Sequence, residues 1–205
     1  MSRRPKRRPP IQARARATVA DILAATARIL EREGYDALTT NAIARVAGVG
    51  IGSLYQYFET KDAIVAALQE EHFEAMGRPF LEKMEELESA PLEEMISGLA
   101  ALMRSSELLN SRLSKELLAV PLRGKPEAVL RIEQRCAAIL HAYLMRLAPR
   151  ADAADLRISI FLVVQTVEAL ILQTSRHKPR GLTRQRFTEE LAALVVRYLA
   201  PVLAT

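Results

Sequence analysis

Few residues of this chain have the type and spacing for covalent chemistry. His72, His141 and His177 fall on different predicted elements, and none stands at metal-ligand spacing from Cys136 or an acid. No Gly-x-Ser-x-Gly nucleophile elbow is present. The most unusual stretch is GVGIGSLYQYF, Gly48 to Phe58, where three glycines alternate over five residues before a short aromatic run. A phosphate-cradling loop would need a third glycine where Ser53 stands, a preceding strand, or Gly-Lys-Ser/Thr, and has none of these. The expectation is therefore of no catalysis, no cofactor and no metal. What this stretch can do is turn the chain between two helices and present hydroxyl and amide groups, without a single Lys or Arg.

The elements around it read as helices. Apolar residues recur at i, i+3, i+4, i+7, and no segment sustains period-two alternation. A first helix begins near Ile11 to Ala17 and ends at Gly34, with Val19, Ile22, Leu23, Ala27, Ile29 and Leu30 on its apolar face. Thr39 or Thr40 can cap a second helix to Ala47, and a third is predicted from Ile51 to about Phe58. Gly48 supplies the positive φ of a tight inter-helix turn. Val49 plugs the core below it, and Leu54 and Phe58, four apart, face inward together. This is the pattern of a helix-turn-helix, whose second helix enters a major groove. Thr60 then caps a long helix from Lys61, with a bend expected near Gly77–Pro79. Further helices are predicted from Pro91 to Arg104, Leu108 to Val120, Pro126 to Ala148, Asp152 to Arg176 and Thr183 to Leu203, with loops at 120–125 and 177–182.

The segment ATARILEREGYDALTTNAIARVAGVGIGSLYQYFETKDAIVAAL, Ala25 to Leu68, strongly resembles the N-terminal domain of TetR-family transcriptional regulators. The match runs in order through Glu-Gly-Tyr, Thr-Thr, Ile-Ala, Ala-Gly-Val, Gly-Ser-Leu-Tyr-x-Tyr-Phe and Lys-Asp-Ala. The resemblance implies that Thr40, Asn41, Tyr55, Tyr57 and Lys61 bind DNA phosphates, the first two at a helix N-terminus. It gives base reading to Ile51, Gly52, Ser53 and Gln56. Gln56 would bond adenine, Ile51 would pack on a thymine methyl, and Gly52 would let the backbone come close. For the tyrosines and Lys61 the plain alternatives are packing and a solvated helix start. Many members carry Ser-Lys where Gly50 and Ile51 stand here. The loss of that lysine leaves a contact to be supplied from elsewhere.

The charge distribution offers a source. Residues 1–17 hold Arg3, Arg4, Lys6, Arg7, Arg8, Arg14 and Arg16 and no acid; residues 18–62 sum to −2, and the remainder is neutral, within a net charge of +5. With Pro5, Pro9 and Pro10 the start reads as a flexible basic arm. It is either a solubilising tail or an arm drawn to DNA by counterion release. One cysteine excludes an internal disulfide and suits a reducing cytoplasm. Neither a signal peptide nor a membrane span is expected, since the most apolar run, Ile160 to Val164, ends at Gln165.

The expected organisation is all-α: the arm (1–17), a three-helix helix-turn-helix domain (18–65), and a helical domain for effector binding and dimerisation (66–205). The helix around Ile158 to Leu172 is apolar almost all round. With Phe187, Leu191, Leu194 and Tyr198 of the last helix, its Phe161, Val164 and Leu172 are expected to form half of a four-helix homodimer interface. The resemblance implies a small-molecule effector in this domain. Candidate pocket residues are Met76, Met103, Cys136, Tyr143, Phe161, Gln165 and Glu168, while Arg112 and Arg135 leave an acidic ligand open. The expected function is a cytoplasmic, homodimeric regulator of double-stranded DNA with a near-palindromic operator, a repressor released by its effector. The rivals are a DNA-organising protein on the same fold and a ligand-binding protein that has lost DNA binding.

Overall fold

The computed structural model describes residues 11–106, 111–120, 125–176 and 178–203. Among them every regular element is helical. The chain divides into two compact units, Met1–Gln69 and Glu70–Thr205.

The first unit holds α1 (Ile11–Glu33), a 3-10 turn (Tyr35–Ala37), α2 (Thr40–Ala47), α3 (Ile51–Tyr55) and the start of α4 (Lys61–Glu86). Helix α1 begins at Ile11, directly after Pro9 and Pro10, so the expected flexible arm to residue 17 is too long. Ala13, Ala15 and Ala17, interleaved with Arg14 and Arg16, are strong helix formers, and they extend the helix back to the prolines. Arg14 and Arg16 therefore stand on a helix. Arg3, Arg4, Lys6, Arg7 and Arg8 lie outside the described residues.

Thr39 is the cap of α2, its Oγ1 accepting from the N–H of Ala42 at 3.1 Å. Gly48 ends α2 in the left-handed region at φ 69°, ψ 25°, and the N–H of Val49 closes onto the Ala44 carbonyl at 3.0 Å. Helix α3 stops at Tyr55, three residues before the expected end. The N–H of Tyr57 already turns back to the Leu54 carbonyl, and Thr60 caps α4 through the N–H of Ala63. Ile22, Leu30, Leu38, Ile43, Leu54 and Ile64 are fully buried at the centre of this unit.

The second unit continues α4 and adds α5 (Leu92–Ser105), α6 (Arg112–Ala119), α7 (Glu127–Leu147), α8 (Ala153–Arg176) and α9 (Arg184–Leu203). Ser111 caps α6, later than the expected start at Leu108; residues 107–110 lie outside the described set. Asp152 caps α8 through the N–H groups of Ala154 and Asp155, and Thr183 caps α9 through that of Arg186. Pro126, which has no side-chain acceptor, opens α7. The cap there comes from α4, where both carboxylate oxygens of Glu70 accept, one from the N–H of Glu127 (2.5 Å) and one from that of Ala128 (2.7 Å). About two turns further along α4, Gly77 lies so close to α7 that a Cβ would lie 2.3 Å from Ile132 Cδ1. Pro79 is carried inside α4. Helix α9 packs most extensively on α5. Met95, Leu144, Leu156 and Leu199 are fully buried in the shared core.

Replacing Gly48 forces a Cβ into the left-handed conformation, which disfavours L-residues by roughly 1–2 kcal/mol. Gly48→Ala is expected to lower stability by about that amount in urea denaturation followed by circular dichroism.

Candidate functional site

Helix α2 presents its first turn to solvent. Thr39 satisfies the N–H of Ala42, which leaves those of Thr40 and Asn41 directed outward without an intrahelical acceptor. The hydroxyl of Tyr55, from α3, lies 3.1 Å from Thr40 Oγ1. Two hydroxyls and two N–H groups thus converge at one helix N-terminus, where the macrodipole favours an anion. Tyr55 is 51% exposed, and Tyr57 and Ile51 are exposed beside it, with Val46 of α2 adjoining in sequence pattern. Ser53 and Gln56 are also exposed, Gln56 in the turn after α3. A Cβ on Gly52 would meet no protein atom within 4 Å. The fold itself therefore makes no steric demand for glycine there.

Lys61 is not a simple solvated helix start. Its ammonium sits 4.2 Å from the centre of the Tyr35 ring. The Tyr35 hydroxyl donates to Asp62 Oδ1 at 2.5 Å. That hydrogen bond, with partial burial and the Asp62 charge, pushes the phenol up to about 12. Tyr35 thereby steers the Lys61 side chain. The Glu-Gly-Tyr motif contained this tyrosine, but sequence spacing alone did not connect it to a lysine 26 positions later.

The second unit encloses a cavity of about 300 Å³, at the lower end of the range for small-molecule sites. Its wall is almost wholly apolar and comes from α4, α5, α6, α7, α8 and α9. Of the expected pocket residues, Met76, Met103, Cys136 and Glu168 line it. Three do not. The Tyr143 hydroxyl donates to the Ala90 carbonyl (2.8 Å) within the core. Gln165 donates to Glu133 Oε1 (3.1 Å). Phe161 is 63% exposed. The Cys136 thiol is pushed up to about 11, chiefly by burial and then by the Glu133 charge. Arg135 pairs with Glu85 at 2.7 Å and Arg112 faces Glu116, so neither expected arginine reaches the cavity.

Sequence reading missed the polar groups that edge this cavity. Lys125 Nζ lies 2.6 Å from Glu133 Oε1 and 2.6 Å from Glu168 Oε2, and both glutamates line the wall. Burial disfavours each charge, but the hydrogen bonds that Glu133 shares with Glu168, Lys125 and Gln165 hold its pKa low. Glu168 is raised, by burial and by its bond to Glu133. Next to the cavity, His72 Nε2 and Ser114 Oγ lie 2.7 Å apart, both buried, joining α4 to α6.

On α8 and α9, Ile158, Phe161, Leu162, Leu194 and Tyr198 are large apolar side chains left exposed on the single chain. Three of these were expected at a dimer interface; Ile158 and Leu162 were not. Of the other expected members, Leu191 is buried in the core, Phe187 is half-buried, and Val164 and Leu172 line the cavity. A helix apolar all round divides its faces among these surroundings, which periodicity cannot assign. Among the described residues no helix is long and apolar enough to cross a membrane, and no cluster of His, Cys, Asp or Glu could hold a metal.

Residues 22–68 match the family model described as bacterial regulatory proteins, tetR family. Residues 91–199 match the tetracyclin repressor-like C-terminal domain. No curated protein matches the chain significantly. Among solved structures, a TetR-family transcriptional regulator from Streptomyces coelicolor is 26% identical, with 92% of this chain and 99% of that one covered and a TM-score of 0.63. RolR in complex with its ligand resorcinol is 19% identical, covers 94% of each chain and has a TM-score of 0.64. FadR from Bacillus subtilis in complex with stearoyl-CoA is 20% identical, covers 86% of this chain and 97% of that one, and has a TM-score of 0.55.

His72 yields a pH prediction. Burial lowers its pKa from the ordinary 6.5, so the unfolded chain binds its proton first as pH falls. The His72 contribution to stability is complete above pH 6.5 and declines as pH drops from there through the folded-state pKa. His72→Gln is expected to flatten the loss of thermal stability between pH 7 and pH 5 in a series of melting curves.

Proposed function

The chain belongs to the TetR family of bacterial regulatory proteins, and from that premise we propose that it is a homodimeric repressor whose reading head is α2–α3 and whose release is set by a small apolar effector in the second unit. As a member of that family it is a DNA-binding, ligand-responsive transcriptional regulator. The observation that carries the finer reading is the convergence of Thr40 Oγ1, the Tyr55 hydroxyl and the N–H groups of α2 on one exposed point. Such a point suits a phosphate oxygen and needs no lysine. Tyr57 adds a second exposed tyrosine, and Lys61, held over the Tyr35 ring, adds a cation. Ile51, Gly52, Ser53 and Gln56 would then meet base edges.

The exposed face of Ile158, Phe161, Leu162, Leu194 and Tyr198 supports dimerisation through α8 and α9. A dimer presents two reading heads to half-sites about one helical turn, or 34–36 Å, apart. The cavity supports effector binding. Helix α4 forms part of its wall and begins at Lys61, so an occupant that shifts α4 would change the position of the phosphate-contacting end. Repression then works as a population shift between DNA-competent and released dimers. Solved relatives hold resorcinol and stearoyl-CoA, so this fold takes small-molecule ligands of different kinds.

Fluorescence anisotropy on the duplex upstream of the coding region, against a scrambled duplex of equal length, tests the reading. A preference of about a hundredfold or more is expected for specific recognition. Equal binding to both would favour the DNA-organising rival; binding to neither would favour a protein that has abandoned DNA. Gly52→Ala separates fold from function. It is expected to stabilise the protein by up to about 1 kcal/mol, because alanine favours the helix, while weakening operator binding several-fold. Deleting residues 1–10 removes five bases and is expected to lower the salt slope by about 0.9 per lost phosphate contact.

A further inference from the structure

The cavity wall carries charge of one sign only. Among the described lining residues the charged groups are Glu133 and Glu168, and no lysine, arginine or histidine lines the cavity. Lys125 pairs with both carboxylates from the loop before α7 but does not itself line the wall. Three groups, two acidic and one basic, leave a formal charge of −1 if both acids are ionised. Arg104 lies 3.4 Å from Thr188 Oγ1, and Thr188 lines the cavity while Arg104 does not. Apart from the hydroxyls of Ser106 and Thr188 and the Cys136 thiol, the rest of the wall is aliphatic, aromatic or thioether.

A carboxylate beside apolar surface with half a counter-ion is disfavoured until a donor or cation meets it. We infer that the ligand of this cavity is an apolar molecule bearing one cationic nitrogen, whose ammonium or protonated ring N–H bonds Glu133 and Glu168 while its hydrocarbon fills the chamber. This rests on the reading of the cavity as the effector site. The nitrogen either joins Lys125 between the two acids or takes its place. An anionic ligand would meet two carboxylates and no base on the wall. A neutral one would gain the hydrophobic contact alone. The raised pKa of Glu168 agrees: at present it holds its proton more tightly than an isolated carboxyl, and a cation would supply the missing charge instead.

The test is isothermal titration calorimetry of the full-length protein with three ligands that share a ten-carbon chain: decylamine, 1-decanol and decanoate, each below its micelle concentration. Decylamine is expected to bind about tenfold or more tighter than decanol, the usual scale of a charge-assisted hydrogen bond, with decanoate weakest. The paired substitution Glu133→Gln and Glu168→Gln is expected to bring the amine to the level of the alcohol and to leave the alcohol unchanged. Ala192→Phe, which fills the chamber, is expected to abolish all three. Decanoate binding as tightly as decylamine, and lost in Ala192→Phe, would leave the effector chamber standing and overturn the cationic class. So would an amine preference that persists in the Gln pair. Amine binding that survives Ala192→Phe would place the amine outside the cavity and overturn the inference. Binding of none of the three, by protein that still binds its duplex, would remove the chamber reading with it. The ligand series on the unmodified protein decides the question even if the Gln pair folds poorly.

Discussion

Two points of contact, one a charge-assisted hydrogen bond and one a steric fit, join α4 to α7 beside the cavity of the second unit. At Gly77 the two helices come within a distance that only a missing Cβ permits, with Ile132 filling the space a side chain would have taken. About two turns earlier, Glu70 takes both N–H groups that Pro126 could not cap, so the same helix pair is fastened by a charge-assisted bond at one point and by steric fit at another. The cavity opens beside this pair, with Gly77 and Ile132 in its wall. Helices α5, α6, α8 and α9 supply the rest of the wall, so an occupant bears on packed helices.

The first unit solves a different problem, that of gripping a polyanion with few cations. A lysine-rich surface would attract any nucleic acid, and its affinity would fall steeply with salt. Hydroxyls and helix-start N–H groups are directional and uncharged, so they reward one placement of a phosphate over others. The described surface of α2 and α3 is built from such groups. Its strongest cation, Lys61, is held over an aromatic ring whose own hydroxyl is anchored to Asp62. The long lysine chain thus loses less freedom on contact than it would from solution.

Much of this was legible in the sequence, for reasons that can be stated. Gly48, Thr39, Thr60, Asp152 and Thr183 announced helix ends because capping and positive φ are local chemistry, set by one residue and its immediate neighbours. The first-unit core was legible because Leu54 and Ile43 keep helical spacing in short, clean elements. The misses share a cause. The flexible arm was drawn past the start of α1, to residue 17, because two prolines and a charge run outweighed three alanines in the reading. Glu70 as a cap for α7, Lys125 between two glutamates, and Tyr35 beneath Lys61 all join residues far apart in sequence, with no motif to link them. Likewise, α8 is apolar on most sides, and nothing in its own sequence says that Phe161 faces solvent while Val164 faces the cavity.

The sole cysteine of the chain has a consequence of its own. Cys136 lies buried in the chamber wall, and its thiol, pushed up to about 11 chiefly by burial, stays protonated at neutral pH. Oxidants and electrophiles react with the thiolate, so burial makes Cys136 a poor target for them. A ligand beside it in the chamber meets a thiol that packs and does not react.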